Sequence, residues 1–270
     1  MSKYLNVFNT LAEYQAFSAS TEYVQPNVAL VKETNVLYYD YGNNKPQVDM
    51  SDLKVESQES SVGGDKYGKD AITKVNYIPS GITRLNRAFD GWSSLKEVTC
   101  ELPDSIKNMY YTFYYCTSLV KAPEIPSGVT DMSYTFKYCT SLINAPEIPS
   151  GVTDMSYTFS DCYSLVTPPS VIPESVTNMS YTFYWCSSIV TLPPIPSGVT
   201  KLDYTFYYCK SLKEVTFLHT TPPNYFLTLA NCSKLESIYV PDEAVDAFKT
   251  ATNWSEFADK IKPLSSKPSE

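Results

Sequence analysis

The chain reads as an α+β repeat solenoid, and three observations lead there. A triad of Phe, Cys and an aliphatic residue recurs at a spacing of three and three: Phe113/Cys116/Leu119, Phe136/Cys139/Leu142, Phe159/Cys162/Leu165, Phe183/Cys186/Ile189 and Phe206/Cys209/Leu212. Successive triads lie 23 or 24 residues apart, and degenerate copies, Phe89/Trp92/Leu95 before and Leu229/Cys232/Leu235 after, bring the number to about seven. The fifteen residues from Ala122 to Phe136 return unchanged from Ala145 to Phe159, which is more identity than packing demands and points to duplication. No single copy can bury its own triad, so stacked neighbours must supply the core. At about 4.8 Å per layer, seven layers span roughly 34 Å.

In chain order, residues 1–50 form a separate module for attachment or oligomerisation. Asn9 or Thr10 is placed to cap a short helix with Leu11, Tyr14 and Phe17 on one face. Val28–Val31 and Val36–Tyr39, separated by Lys32 to Asn35, form a small β-hairpin. So few elements need a partner surface or copies of themselves to be stable. Residues 51–70 are polar, with Ser, Gly and mixed charge, and read as a linker. The solenoid occupies 71–240. Within one unit, Met132, Phe136 and Cys139 share the face of a helical turn or two, Leu142 and Ala145 continue along a short extended segment, and Pro146 and Pro149 turn the chain. Ser237–Val240 is expected as the last strand. Residues 241–270 then supply a capping helix, with Val245, Phe248, Trp254 and Phe257 covering the open end and a frayed tail after it.

Composition excludes several functions. There are 21 basic against 29 acidic residues, a net charge of −8, which argues against binding a phosphate backbone. One His and no paired-cysteine motif argue against a zinc site, and no apolar run approaches the ~20 residues of a membrane span. The start, MSKYLNVFNTLAEYQAF, lacks the pattern of an export signal. Six of the seven cysteines occupy one repeat position, as rungs of a ladder. Adjacent rungs lie within disulfide reach, and buried free thiols are the favoured reading. No nucleophile elbow, phosphate loop or cofactor motif is present. His219 reads as a surface loop residue, and carboxylates such as Asp154 and Asp161 read as solvated charge, so the expectation is a protein that is not an enzyme and carries no metal or cofactor.

Two surfaces are candidates for binding. The residue two after each core aliphatic should face outward, giving the row Lys121, Asn144, Thr167, Thr191 and Glu214, flanked by Glu97 and Ser237. Beside the core Phe runs an aromatic strip, Tyr115, Tyr138, Trp185 and Tyr208, on the side read as helical. It serves either as packing between layers or as a platform for glycan or protein.

The F-x-x-C-x-x-L core, the Ile-Pro turns and the closing Ile238-Tyr239-Val240-Pro241-Asp242 resemble the BspA-type leucine-rich repeats of bacterial surface and gut-associated proteins. Such repeats serve adhesion, host recognition and phage structure alike, so the resemblance implies the fold more than the function. The N-terminal stretches Pro26-Asn27-Val28-Ala29-Leu30-Val31 and Glu33 to Tyr39 resemble openings of structural proteins from phages of gut Bacteroidetes, including crAss-like phages. That second resemblance implies a virion component, a head fibre, capsid decoration or tail part. It would be held to other virion proteins through its N-terminal module, form a homo-oligomer and present the repeats to a host glycan or protein. The alternative is a bacterial cell-surface adhesin.

Overall fold

The computed structural model describes residues 5–8, 27–31, 36–40, 54–57, 72–78, 83–224 and 226–268. At the N-terminal end β1 (Leu5–Phe8) runs parallel to β2 (Asn27–Val31), which pairs antiparallel with β3 (Val36–Asp40), Leu30 opposite Leu37. The hairpin lies where the two apolar runs, Val28–Val31 and Val36–Tyr39, put it. The short helix expected after Asn9 falls outside the described residues. The stretch expected as linker supplies β4 (Lys54–Ser57), antiparallel to β5 (Ile72–Tyr77). Its Val55 and Lys54 satisfy the free edge of β5, which the first repeat leaves open. β5 pairs on its other side, in parallel, with β6 (Glu97–Val98).

From there the chain climbs in parallel layers. One row of bridges joins Glu97, Lys121, Asn144 and Thr167, and a second joins Arg84, Asn108, Asp131, Asp154, Asn178 and Lys201. Between them the backbone does not form the expected helix. Alternate N–H groups leave the layer: Met132, Tyr134, Phe136 and Tyr138 donate to Asp154, Ser156, Thr158 and Ser160 of the next layer at 2.9–3.1 Å. The intervening ones close turns within the layer, Thr135 to Met132, Lys137 to Tyr134 and Cys139 to Phe136, at 3.0–3.3 Å. An α-helix spends every amide on its own chain. Here half of them hold the stack together, so the segment is a stair of turns, and the α part of the expected α+β description is corrected to this.

The stair needs left-handed backbone at two positions per layer. Two residues before each anchor, Arg87, Tyr111, Tyr134, Tyr157, Tyr181, Tyr204 and Leu227 have φ of 50–58°. Two residues after it, Tyr115, Tyr138, Asp161, Trp185, Tyr208 and Asn231 have φ of 59–63°, with Gly91 completing the set at 71°. A bulky residue held there costs about 1–3 kcal/mol and persists only where its surroundings over-determine it. The bonds above and below each turn do so.

Inside, side chains stack on their counterparts. Phe89, Phe113, Phe136, Phe159, Phe183 and Phe206 form one buried column with ring centroids 5.1–6.0 Å apart and planes within 14°. Leu119, Leu142, Leu165, Ile189 and Leu212 form another. Cys116, Cys139, Cys162, Cys186 and Cys209 are buried as expected, but they sit on the stair of turns and not on the helical face assigned to them. The disulfide that the spacing left open between Cys116 and the rungs above it is not formed, and the ladder is unbridged. The reason is visible at each rung, where the thiol is turned onto the Phe carbonyl of the layer before. Cys116 donates to Phe89 at 3.1 Å, Cys139 to Phe113 and Cys162 to Phe136 at 3.2 Å, Cys186 to Phe159 at 3.0 Å and Cys209 to Phe183 at 3.1 Å. Burial pushes the thiols of Cys139, Cys162, Cys186 and Cys209 above their ordinary pKa. Buried Thr112, Thr135, Thr158, Thr182 and Thr205 place their hydroxyls between two carbonyls, one in their own turn and one in the preceding layer. Each of these buried hydroxyls is thereby hydrogen-bonded.

At the C-terminal end β7 (Glu214–Thr216) pairs with β8 (Ser237–Val240), and β8 is followed by a further parallel strand, β9 (Ile261–Pro263), which the expected last strand did not anticipate. A short helix, Val245–Thr250, buries Phe248 against Trp254, whose ring meets Phe217 edge-on at 5.1 Å and whose Nε1–H donates to the Pro223 carbonyl. The tail is tied down rather than frayed. Ser265 N–H donates to Asp242, and Lys267 pairs with Glu214 at 3.0 Å while lying over the Tyr239 ring. His219 is also not a surface residue. It is 6% exposed, its Nε2–H donates to the Val199 carbonyl at 2.8 Å, and Nδ1 has no partner. Burial lowers its pKa from the ordinary value.

Candidate functional site

The bridge row fixes one face of the solenoid. Lys121, Asn144 and Thr167 lie in register on it and are exposed, as the spacing predicts. Thr191 is exposed but outside the run of bridges, and its layer bridges through Ile195 instead. Glu214 is half-buried and spent on Lys267, and Ser237 is buried. The bridged polar row is therefore Glu97, Lys121, Asn144 and Thr167, the last three of them exposed.

Beside it runs a row that the sequence reading did not single out. Val120, Ile143, Val166 and Val190, each following a core aliphatic, are 39–52% exposed. Val120 N–H donates to Lys96 O, Ile143 N–H to Val120 O, and Val166 N–H to Ile143 O, so these side chains stand on hydrogen-bonded neighbouring layers. Lys96 and Lys213 take the equivalent positions beyond the two ends, and both are exposed. Four exposed β-branched residues, three of them on one hydrogen-bonded run and Val190 bonded onward to Lys213, form an apolar patch that interior packing does not use. A groove of 590 Å³ opens next to it between Val120–Ile125 and Asn144–Glu147, floored by Ala122, Pro123 and Ala145 and edged by Lys121, Glu124 and Glu147. A signal for the row was present, an aliphatic residue directly after the triad in four consecutive units, but a second aliphatic beside a core Leu reads as more core.

The aromatic strip lies on the stair of turns rather than on a helix. Tyr115 stacks on Tyr138 at 4.3 Å and 25°, and Trp185 on Tyr208 at 4.3 Å and 4°. Tyr115 is 42% exposed and the other three are half-buried, so the rings both pack between layers and present edges to solvent. A longer column accompanies them. Tyr111, Tyr134, Tyr157, Tyr181 and Tyr204 stack face to face at 4.3–4.7 Å and within 19°, with Arg87 over the first ring at 4.2 Å. The repeated Tyr two residues before each Phe was its signal. Burial and the neighbouring phenols raise the pKa of Tyr111 and Tyr157 well above the ordinary tyrosine value. Lys137 reaches over Tyr134, Tyr138 and Tyr157, the last at 4.6 Å, and burial lowers its pKa.

The carboxylates do not form an acid/base pair. Asp154 accepts from Ser156 N–H and the Asn178 amide in the bridge row, whereas Asp161 accepts from Ser160 and Tyr163 hydroxyls on the stair. Among the described residues no group of three or more His, Cys, Asp or Glu is placed to hold a metal ion, and no helix is long and apolar enough to cross a membrane.

Solved structures that are similar include a leucine-rich repeat protein of T. pallidum, at 27% identity and a TM-score of 0.49 over 61% of this chain and 72% of that one. One from Bacteroides ovatus has 19% identity and a TM-score of 0.41 over 91% of this chain and 77% of that one. A leucine rich cell surface protein of Faecalibacterium prausnitzii has 18% identity and a TM-score of 0.34 over 73% of this chain and 84% of that one. No curated protein matches the sequence. The model of the BspA type leucine rich repeat region matches six copies, over residues 61–190 and 132–256. With its repeats matched across that length, and with the triad, ladder and turn geometry described above, the chain belongs to the BspA type leucine-rich repeat family.

Proposed function

We propose that this chain is a non-enzymatic scaffold that binds a protein partner along the bridge-row face. The observation that carries this reading is the exposed row Val120, Ile143, Val166 and Val190, set on hydrogen-bonded layers and ended by Lys96 and Lys213. Burying such a row on association contributes about 25 cal/mol per Å² of apolar area, and the rigid ladder loses little entropy on binding. The complementary partner surface is apolar in the middle and acidic at its edges, with Lys121 and Asn144 available for hydrogen bonds at the rim. In this reading about seven layers form the working surface, the C-terminal helix with Phe248 and Trp254 closes one end, and residues 1–50 attach or oligomerise the chain.

The test is binding of the labelled protein to a panel of host surface and matrix proteins by interferometry, wild type beside Ile143→Asp with Val166→Asp. Both positions are exposed, so the variant should fold and lose at least about tenfold in affinity, the equivalent of ~1.4 kcal/mol. A folded variant that keeps every interaction of the wild type would move the site off this face. The finer assignment is a virion component, the motive being the N-terminal resemblance, and the alternative is a cell-surface adhesin. Neighbouring genes separate them: capsid and portal genes favour the first, export and adhesion genes sink it.

A further inference from the structure

The position three residues after the core aliphatic turns into the stack and is filled in the other layers. It holds Val98, Pro168, Leu192, Val215 and Ile238, of which all but the proline are buried. Two adjacent layers carry only a methyl group there, Ala122 and Ala145, and both are half-buried against the core. The missing side chains leave a hollow. These two alanines lie in the groove of 590 Å³, within the range of about 300–1,000 Å³ that small-ligand sites occupy. Its effect shows at Ile125, which lines the groove and is half-buried, whereas its counterparts Ile148, Ile172 and Ile195 are buried. A core position left short in two successive layers gives up apolar burial that the rest of the solenoid takes, and stability given up at one surface site points to a use for that site.

The floor and the rim define what fits. Val120 belongs both to this groove and to the exposed apolar row, so the two form one continuous surface. A floor of methyl groups takes apolar atoms, and a sugar set on it would turn hydroxyls toward carbon. Lys121, Glu124 and Glu147 edge the groove, and all three are exposed. Glu147 is engaged by the next layer: its Oε2 accepts from the Ser170 N–H at 3.1 Å and from the Ser170 hydroxyl at 2.5 Å. Glu124 has no such donor, because the residue one layer on is Glu147 itself, and among the described residues it makes no ion pair within 4.0 Å. An open carboxylate at the edge of an apolar hollow favours a segment in which an apolar anchor is followed by a cation. The partner's acidic edges face Lys96 and Lys213 at the ends of the row, and a basic residue belongs here, beside its middle.

We propose that the hollow over Ala122 and Ala145 receives one large apolar side chain from an extended segment of the partner protein, with the segment's next residue, a basic one, paired to Glu124. The proposal rests on the protein-binding reading above, but the groove can be tested with peptides alone. Full-length protein with labelled isoleucine methyl groups is titrated with the capped tetrapeptides Ser-Leu-Lys-Ser, Ser-Phe-Lys-Ser, Ser-Ala-Lys-Ser and Ser-Leu-Glu-Ser, and with methyl glucoside. The resonance followed is that of Ile125, assigned from Ile125→Val. A saturable shift is expected with the leucine or the phenylalanine peptide, and binding weaker by at least about tenfold when alanine replaces the anchor or glutamate the lysine. Ala122→Val with Ala145→Val restores the side chain that other layers carry, so it should raise the melting temperature and abolish the shift. Glu124→Gln, a change at an exposed position, should keep the fold and remove the preference for lysine over glutamate. No saturable response in the wild type, valine variants that bind as before or melt lower, an unchanged lysine preference in Glu124→Gln, or a preference for the glucoside would each overturn the proposal. Ile143→Asp with Val166→Asp should retain the Ile125 response, so failure of the apolar row and failure of the groove are read separately.

Discussion

At the scale of the residue, position in the stack decides what a side chain is worth. Phe159 is buried between Phe136 and Phe183, and neither neighbour can collapse into its place because each is held by its own layer. Phe159→Ala should therefore cost about 3–5 kcal/mol, while Tyr138→Ala, which empties a half-exposed site, should cost less. Parallel urea titrations check this, and equal losses would mean that the inward and outward positions are wrongly assigned. His219 predicts a pH effect. Its folded pKa is lowered by burial, so the unfolded chain takes up the proton first, at the ordinary value near 6.5. Stability from this group is complete above about pH 6.5 and is lost as the pH falls toward the folded value. Melting from about pH 8 to about pH 5.5 should show a drop in wild type that is smaller in His219→Leu; parallel pH profiles would show that the imidazole is not held neutral.

At the scale of the element, the triads were legible in the sequence and the backbone carrying them was not. Every Phe, Cys and aliphatic of the five regular triads is buried, because a fixed period leaves those positions no other place to go. The spacing of four and three from Met132 to Cys139 was misleading. A helix and a stair of turns both return side chains to one face at that interval, and only the destination of the amides, upward or along the chain, tells them apart. The outward row was legible at Lys121, Asn144, Thr167 and Thr191, which are all exposed, and failed at Ser237, which the closing sheet buries. The left-handed turns lead to a counter-intuitive mutant order. At Tyr157, φ 57°, Val retains apolar area but places a β-branch where the backbone resists it, and Gly loses the stack but none of the backbone fit. Tyr157→Val should be the more destabilising by about 1–3 kcal/mol, measured as the difference in urea midpoint scaled by the common slope. The reverse order would show that ring stacking, rather than backbone strain, governs the turn.

At the scale of the whole molecule, each layer contacts only its neighbours, and stability is close to a sum over layers and interfaces. Removing residues 137–159 joins Phe136 to Ser160 and leaves a hybrid layer with an intact triad. That variant should fold and unfold in a single transition at a modestly lower temperature, whereas removing 137–155 brings two anchors into one layer and should leave the chain unfolded by circular dichroism. If both fail, the layers are not interchangeable. The unchanged stretch shared by Ala122–Phe136 and Ala145–Phe159 gives this modularity a genetic side. Where the coding sequence matches as the protein does, such stretches one period apart are a substrate for misaligned recombination, and every crossover between them adds or removes one whole layer in register. A lineage carrying this gene can therefore lengthen or shorten its working surface in steps of about 4.8 Å without passing through an unfolded ancestor, and isolates of one population should differ in layer number before they differ in the residues of the core.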